Sequence, residues 1–334
     1  MNTRIIAEIG VNHDGKLEKA FKLVDEAQSA GADAVKFQSF QAIKLANKNT
    51  PKVMYQERDT SSGSHYEMLK KLELSFSEQK KLINYCVSKK IDFISTPYDE
   101  ESALFLHQAG VTEFKVASAD IIDFQLNRRL SEISERVIIS TGMSTTEEIE
   151  ECTKLYENTN VLITLLHCVS NYPCSDESLN LNNIKMLNDR FGYDVGFSDH
   201  SVSHMAAKLA VAMGCKVLER HFTLNKFDEG PDHLASDDPE LFAQYVQGVR
   251  KAENMLGNYE RSVQGEEIQM RSVSRKSLFW QRNIQKGSRL KENDFQVLRP
   301  GNGISPMELP NLIDKTLAVD VFSGAKVDYM DFEK

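Results

Sequence analysis

Apolar residues in this chain come in short runs, and polar or charged residues stand at the end of eight of them. IIAEIGVNH ends in Glu8, Asn12 and His13, AVKFQSF carries Lys36 and Gln38, and DFISTP ends in Ser95 and Thr96. EFKVASAD carries Lys115, Ser118 and Asp120, and VIISTG ends in Ser140 and Thr141. LITLLHCVS ends in His167 and Ser170, DVGFSDH in Ser198, Asp199 and His200, and KVLERHF in Glu219 and His221. Between the runs lie segments of helical periodicity, such as LEKAFKLVDEAQSAG, SEQKKLINYCVSKK and TTEEIEECTKLYEN. Eight alternations of strand and helix over roughly 250 residues predict a closed (β/α)8 TIM barrel, whose strands are buried on both faces and therefore read as nearly continuous apolar runs. Residues at the carboxyl ends of such strands share one mouth, however distant in sequence. A doubly wound open sheet is the alternative, but it calls for a glycine-rich phosphate turn after the first strand, and EIGVNHDG does not match G-x-G-x-x-G.

The eighth helix reads DPELFAQYVQGVRKAENMLG, with an aspartate to cap it and Gly257 to end it. The barrel is thus expected over residues 1–258 and an exposed connector without strong periodicity over 259–275. A small domain of short runs (SLFW, LAVDVF) and turn signals (QKGS, RPGNG, FSGA) is expected over 276–334. About 60 residues is marginal for independent stability, so this domain is expected to lean on the barrel or on a partner chain. Residues 41–74, containing YQERDTSSGSHYEML, exceed an ordinary barrel loop and are expected to close over the mouth.

Composition narrows the partners. With 334 residues and a formal net charge of −9, the chain lacks the concentrated cations that nucleic-acid binding requires. No apolar run approaches the roughly 20 residues of a membrane span, and the first residues lack the order of a secretory signal, which points to the cytoplasm. The five cysteines are scattered and show no C-x-x-C spacing, so they suggest neither a disulfide framework nor a thiolate zinc site. Cys168 and Cys174 flank a loop and could form a redox pair, although a reducing compartment favours free thiols.

Lys36 and Lys115 fall within predicted strands, where aliphatic residues are the norm. A buried cation costs several kcal/mol, so each either pairs with a barrel carboxylate or awaits an anion. Thr96, Ser118, Ser140 and Ser198 place hydroxyls at the same rim, and together with the lysines they form a cradle suited to phosphate or carboxylate. His200 and His221 end adjacent strands, which suits two imidazole ligands of one divalent ion, with Glu8, Asp120 and Asp232 nearby. Such a donor set fits Mn2+ or a similar ion. His13, His167 and His233 are weaker candidates. Glu8 and Asp120 can do acid/base work, hold substrate hydroxyls, or neutralise the two lysines. An arginine before an exposed loop, as in the RPGNG run of residues 299–303, can read an acidic or hydroxyl-rich ligand.

These motifs resemble the sialic acid synthases, the family of N-acetylneuraminate, legionaminate and pseudaminate synthases. AEIGVNHDG, GADAVKFQSF, YEMLKKLEL, ISTPYDEES, FKVASAD, VIISTGM, LLHCVSNYP, VGFSDHS, VLERHFTL, GPDHLAS and RPGNGISPM follow one another in order over almost the whole chain. The resemblance implies a barrel followed by an antifreeze-like (SAF) domain that crosses to the active site of the partner in a homodimer. It implies condensation of phosphoenolpyruvate with the open-chain aldehyde of an N-acetylated hexosamine, with C–O cleavage, release of phosphate and formation of a nine-carbon 2-keto acid. N-acetylmannosamine is the first acceptor to expect and 2,4-diacetamido-2,4,6-trideoxymannose the alternative. By the same resemblance, Lys36, Thr96, Lys115, Ser118, Ser140 and Ser198 hold phosphoenolpyruvate, with Ser170 where the family carries Asn or Thr. His200 and His221 hold the metal, Mn2+ first and Mg2+ or Co2+ otherwise. Glu8, Gln38, Tyr172, Asp232 and Arg299 contact the sugar, with Asp120 standing where many relatives carry a glutamate one methylene longer. Glu8, Lys115, Asp120, His200 and His221 are the implied catalytic set. A Schiff-base pyruvate aldolase with Lys115 as nucleophile is a competing reading, and so is a sugar-binding protein without catalysis.

Overall fold

Eight parallel strands close into a barrel in chain order: β1 (Arg4–Gly10), β2 (Ala34–Ser39), β3 (Asp92–Pro97), β4 (Glu113–Val116), β5 (Arg136–Ser140), β6 (Leu162–Cys168), β7 (Asp194–Asp199) and β8 (Val217–His221). The computed structural model describes residues 2–52, 60 and 63–333, which divide into the units Met1–Gly257 and Asn258–Lys334. Successive residues of a strand face opposite sides, and this period of two builds the barrel in layers. Ile6, Ala34, Ile94, Ile138, Leu166 and Val217 pack as one inner apolar cluster. Two residues further along the same strands stand Glu8, Lys36, Thr96, Ser140, Cys168 and Glu219, all of which line a cavity. Gly196 belongs to the inner face too: a Cβ there would lie 2.4 Å from the Val217 carbonyl oxygen, so only glycine leaves β7 and β8 their spacing.

The opposite strand faces carry the larger core, with Ile5, Ala7, Val35, Phe37, Val137 and Leu165 packed among helical residues such as Leu23, Leu82, Leu106 and Leu130. Helix starts follow the local sequence. Ser75 with Glu78 and Thr145 with Glu148 close reciprocal caps on Phe76–Lys89 and Thr146–Lys154, each worth about 1 kcal/mol. Asp238 caps Pro239–Leu256, which stops at Gly257 with φ 59°.

Short helices at Ala42–Leu45 and His65–Leu72 lie in the long segment after β2, where Ala42, Met68, Leu69 and Leu72 join Val11 and Phe40 in a separate cluster. Leu45, Asn47, Pro51, His65 and Met68 line the cavity, as a covering segment should; residues 53–59, 61 and 62 lie outside the described residues. No helix among the described residues is long and apolar enough to cross a membrane.

The second unit pairs β9 (Ser277–Trp280) with antiparallel β10 (Phe295–Leu298) around Leu278, Trp280, Leu290, Leu317, Val321 and Phe332. Within the connector, Glu267–Ser274 is helical, which the sequence pattern did not indicate. Its first turn is held by the Gln264 backbone N–H donating to the Glu267 carboxylate, while none of its residues is buried. A helix without a buried face leaves no apolar period to read.

Candidate active site

The carboxyl ends of the strands open into a cavity of about 1090 Å3. Strand register assembles its floor: Glu8 stands opposite Lys36 on one side and His221 on the other, and Ser198 opposite Glu219. The Lys36 ammonium lies 2.7 Å from Glu8 Oε2 and 3.7 Å from Glu219 Oε2, and donates to Thr96 Oγ1 at 3.2 Å. Burial works to neutralise Lys36, yet Glu219 and Glu8 outweigh it and raise its pKa. Lys36 therefore does not wait for an anion alone; it has carboxylates already.

Lys115 differs. It is buried, donates to the Val116 carbonyl at 2.9 Å and to the Ser140 hydroxyl, and has no carboxylate within ion-pair distance among the described residues. Burial, reinforced by Lys36, pushes its pKa down. The two glutamates separate in the opposite sense to one another. Burial and the charge of Glu219 raise Glu8, whereas Lys36, Lys115 and the Ser198 hydrogen bond at 2.9 Å overcome burial at Glu219 and hold it ionised. The floor thus carries an ammonium that makes no ion pair among the described residues and feels Glu219 only at longer range, beside the Ser140 hydroxyl.

The Ser118 and Ser170 hydroxyls converge on Gly142. Its N–H donates to Ser118 Oγ at 3.1 Å, and Ser118 Oγ lies 3.2 Å from Cys168 Sγ. A Cβ on Gly142 would meet Ser170 Oγ at 2.4 Å and Ser118 Oγ at 2.9 Å, so the glycine keeps this corner open to the two side chains.

Across the cavity, the His200 and His221 rings are 5.6 Å apart, and the Tyr172 ring lies 4.2 Å from the first and 5.5 Å, edge-on, from the second. His200 Nδ1 lies 2.8 Å from the Val169 carbonyl oxygen; a carbonyl can only accept, so Nδ1 carries the proton and Nε2 keeps its lone pair. His221 Nδ1 is buried with no hydrogen-bond partner. Burial lowers the pKa values to about 4 for His200 and about 3 for His221, where His200 and Lys36 add to it, so both imidazoles are neutral at pH 7, the form able to ligate a metal. Neither belongs to a cluster of three His, Cys, Asp or Glu ligand atoms mutually within 4.8 Å among the described residues, so an ion held by these two imidazoles would keep positions for water or substrate. The residues fit a divalent metal.

At the upper wall, Gly10 sits at φ +54° in a register irregularity of β1. Its Cβ would stand 3.1 Å from both Glu8 Oε1 and Gln38 Nε2, and 3.6 Å from Asp232 Oδ2, so these three groups flank one spot. Gln38 donates to Glu8 at 3.2 Å, and burial pushes the Asp232 carboxyl up to about 6.

Glu8, Lys36, Gln38, Thr96, Lys115 and Ser118 thus line a single cavity with Ser140, Ser170, Tyr172, Ser198, His200, His221 and Asp232. Asp120 does not line it. Ala117, Ser118 and Ala119 do, while the next residue of the same turn leaves Oδ2 buried without a partner, its carboxyl raised to about 6 by burial, with Asp123 adding to the rise. Arg299 is an exposed residue of the second unit. Cys168 and Cys174 are free thiols. His13, His167 and His233 are buried in hydrogen bonds away from the cavity wall. The sequence reading gave Glu219 no role, although it lies two residues before His221 and so shares its face of β8.

Residues 23–261 match the NeuB family and residues 275–333 the SAF domain. The chain is similar to N,N'-diacetyllegionaminic acid synthase of Legionella pneumophila, 40% identical over 97% of this chain and 93% of that one. It is also similar to the human N-acetylneuraminate-9-phosphate synthase, 31% identical over 95% and 89% of the two chains. Among solved structures, that of the N-acetylneuraminic acid synthetase of Leptospira borgpetersenii superposes with a TM-score of 0.72, 30% identity, and 81% and 90% coverage.

Proposed function

The chain belongs to the NeuB family, that of the sialic acid synthases, and on that premise we propose that it condenses phosphoenolpyruvate with the open-chain aldehyde of an N-acetylated hexosamine. The observation that carries this reading is Lys115: a buried ammonium without a carboxylate of its own, next to Ser140 and near the open corner at Gly142, is a place for an anion. Lys36, Thr96, Ser118, Ser170 and Ser198 complete the phosphoenolpyruvate site. Glu8, Gln38, Tyr172 and Asp232 form the sugar end. Asp120 reaches that end only through water or a moved turn, and Arg299 is assigned to the sugar of a partner's barrel in a cytoplasmic homodimer.

Enzymes of this family are generally metal-dependent. An ion held by His200 and His221, Mn2+ first and Mg2+ or Co2+ otherwise, would supply Lewis-acid polarisation of the aldehyde oxygen. The protein's own groups do the rest. The lysines fix the phosphate and carboxylate, so that the methylene of phosphoenolpyruvate faces the aldehyde carbon and forms the new C–C bond. Water adds to the resulting cationic carbon, and one of its protons passes through a wall carboxylate, for which Glu8, raised by burial, is placed, to the oxygen that was the aldehyde's. The C–O bond then breaks, the second proton leaves with phosphate, and the 2-keto group remains. Phosphoenolpyruvate carrying 18O in its bridging position tests this: the label should leave with phosphate, and unlabelled phosphate would refute C–O cleavage.

N-acetylmannosamine is the simplest acceptor, giving N-acetylneuraminate. The 40% identity to a diacetyllegionaminic acid synthase supports 2,4-diacetamido-2,4,6-trideoxymannose instead, and a direct comparison of the two sugars by product formation separates them. The depressed pKa of Lys115 also suits a Schiff-base aldolase. Borohydride with pyruvate should trap no adduct; a reduced adduct at Lys115 would sink the cradle and favour the aldolase.

A further inference from the structure

Behind the cavity wall, the loop after β8 folds over His233, whose ring is fully buried. A Cβ on Gly230 would come within 2.6 Å of that ring, so the turn closes directly on it. Both ring nitrogens are engaged, Nε2 with Asp14 Oδ1 at 3.0 Å and Nδ1 with the Thr223 hydroxyl at 2.6 Å. A carboxylate can only accept, so Nε2 carries the proton and Nδ1 accepts from Thr223. Asp14 is in turn fixed by the Lys19 ammonium at 2.6 Å, which also contacts Asp228 at 2.7 Å.

Asp14, Asp228 and His233 have ligand atoms close enough together to hold a metal ion. Lys19 already places a cation between the two carboxylates, so the charge of this cluster is met from within the chain. What the cluster holds is a loop. Asp232 lies next to His233 and is the only one of these residues on the cavity wall among the described residues. Its carbonyl accepts from Ser236 Oγ at 2.6 Å, and Asn12 donates to that same hydroxyl and to the Phe222 carbonyl, both at 2.9 Å. The loop after β1 therefore grips the loop after β8 at two points, Asn12 and Asp14, on either side of the backbone that presents Asp232.

We propose that the Asp14–His233 pair, locked by Lys19 and Thr223, is a positioning device that sets the Asp232 carboxylate against Glu8 and Gln38 and thereby sets acceptor affinity without touching substrate. This rests on Asp232 as a sugar contact. The cradle for phosphoenolpyruvate lies on β2 to β7, outside this grip, so the two substrates should respond differently.

The test is steady-state kinetics of the full-length, metal-loaded enzyme, varying each substrate with the other saturating. Asp14→Ala should raise the acceptor KM about tenfold and leave the phosphoenolpyruvate KM and the bound metal within about twofold. Asp14→Asn keeps an oxygen for the His233 N–H and should recover most of the loss, which a merely structural role does not require. Should Asp14→Ala not fold, Thr223→Val removes one hydrogen bond from the same ring and should raise the acceptor KM about threefold. An unchanged acceptor KM, equal rises for both substrates, or an Asn variant no better than Ala overturns the proposal. The wild type is the control for the underlying reading: if it turns over no acceptor, both fail, whereas normal wild-type turnover with an unsplit response removes the positioning role alone.

Discussion

Replacing each strand lysine by methionine should have opposite consequences for stability and ligand binding, although both are buried cations of the same barrel floor. Lys36 lies within 2.7 Å of Glu8 and 3.7 Å of Glu219, so Lys36→Met leaves two buried carboxylates without their ammonium. Breaking a buried pair in this way costs about 3–5 kcal/mol. At about 2–4 °C per kcal/mol for a domain of this size, the melting temperature should fall by roughly 6–20 °C. For Lys115→Met, the removed terms are a desolvation penalty of several kcal/mol and two charge-assisted hydrogen bonds of about 1.5–3 kcal/mol each, which nearly cancel. Its melting temperature should stay within about 4 °C of wild type. Ligand binding reverses the order of surprise: the nearly silent Lys115→Met should weaken phosphoenolpyruvate by about 10- to 100-fold, the value of one charge-assisted contact. Differential scanning calorimetry of the ligand-free variants and titration with phosphoenolpyruvate give both readings. Equal melting losses, or a Lys115→Met enzyme that binds phosphoenolpyruvate normally, would refute the assignment of the free cation to Lys115.

Three further expectations follow from the same geometry. Excess chelator should abolish turnover and Mn2+, Mg2+ or Co2+ restore it, and His221→Ala should lose most bound metal with its circular dichroism unchanged; full activity after stripping would exclude the ion. The raised carboxyl of Asp120 penalises the folded state increasingly as pH climbs from the ordinary carboxylate range near 4 through about 6. Asp120→Asn should therefore stabilise the protein by about 1–2 kcal/mol at pH 7.5, a gain that disappears below pH 4, and urea denaturation at both pH values checks the sign. Finally, mixing His221→Ala with Arg299→Ala chains should regenerate some activity in heterodimers, since one mouth would then collect both lesions and the other neither; inactive heterodimers would mean that Arg299 does not serve a partner's barrel.

Most of the barrel was legible because its strands announce themselves twice, as apolar runs and as polar ends, and because the mouth gathers whatever those ends carry. Lys115 and Ser140, or His200 and His221, needed no more than that. The sequence left open whether Lys36 pairs with a carboxylate or awaits an anion: the choice depends on Glu8 standing opposite it in the register of β1 and β2, which no property of either segment alone determines. Asp120 could not be placed from the pattern, because it follows Ser118 in a 3-10 turn rather than in a strand, where a period of two no longer says which way a side chain faces. His233 and Asp14 meet across 219 positions of sequence, and only the closure of β1 on β8 brings them together. Glu267–Ser274 buries nothing and so left no trace in the pattern.

The alternation along β8 has a consequence for how such a gene can drift. Glu219 and His221 face the cavity, while Arg220 between them faces outward, bound to Asp237 at 2.9 Å and to the Ser201 carbonyl at 2.5 Å. A single-codon insertion or deletion upstream in the strand would not merely shift a contact; it would turn the guanidinium into the reaction chamber and drive a carboxylate and an imidazole into the packed layer beneath the helices. Both faces fail together. Length changes in this gene are therefore confined to the connecting segments, and the strands can evolve only by replacement.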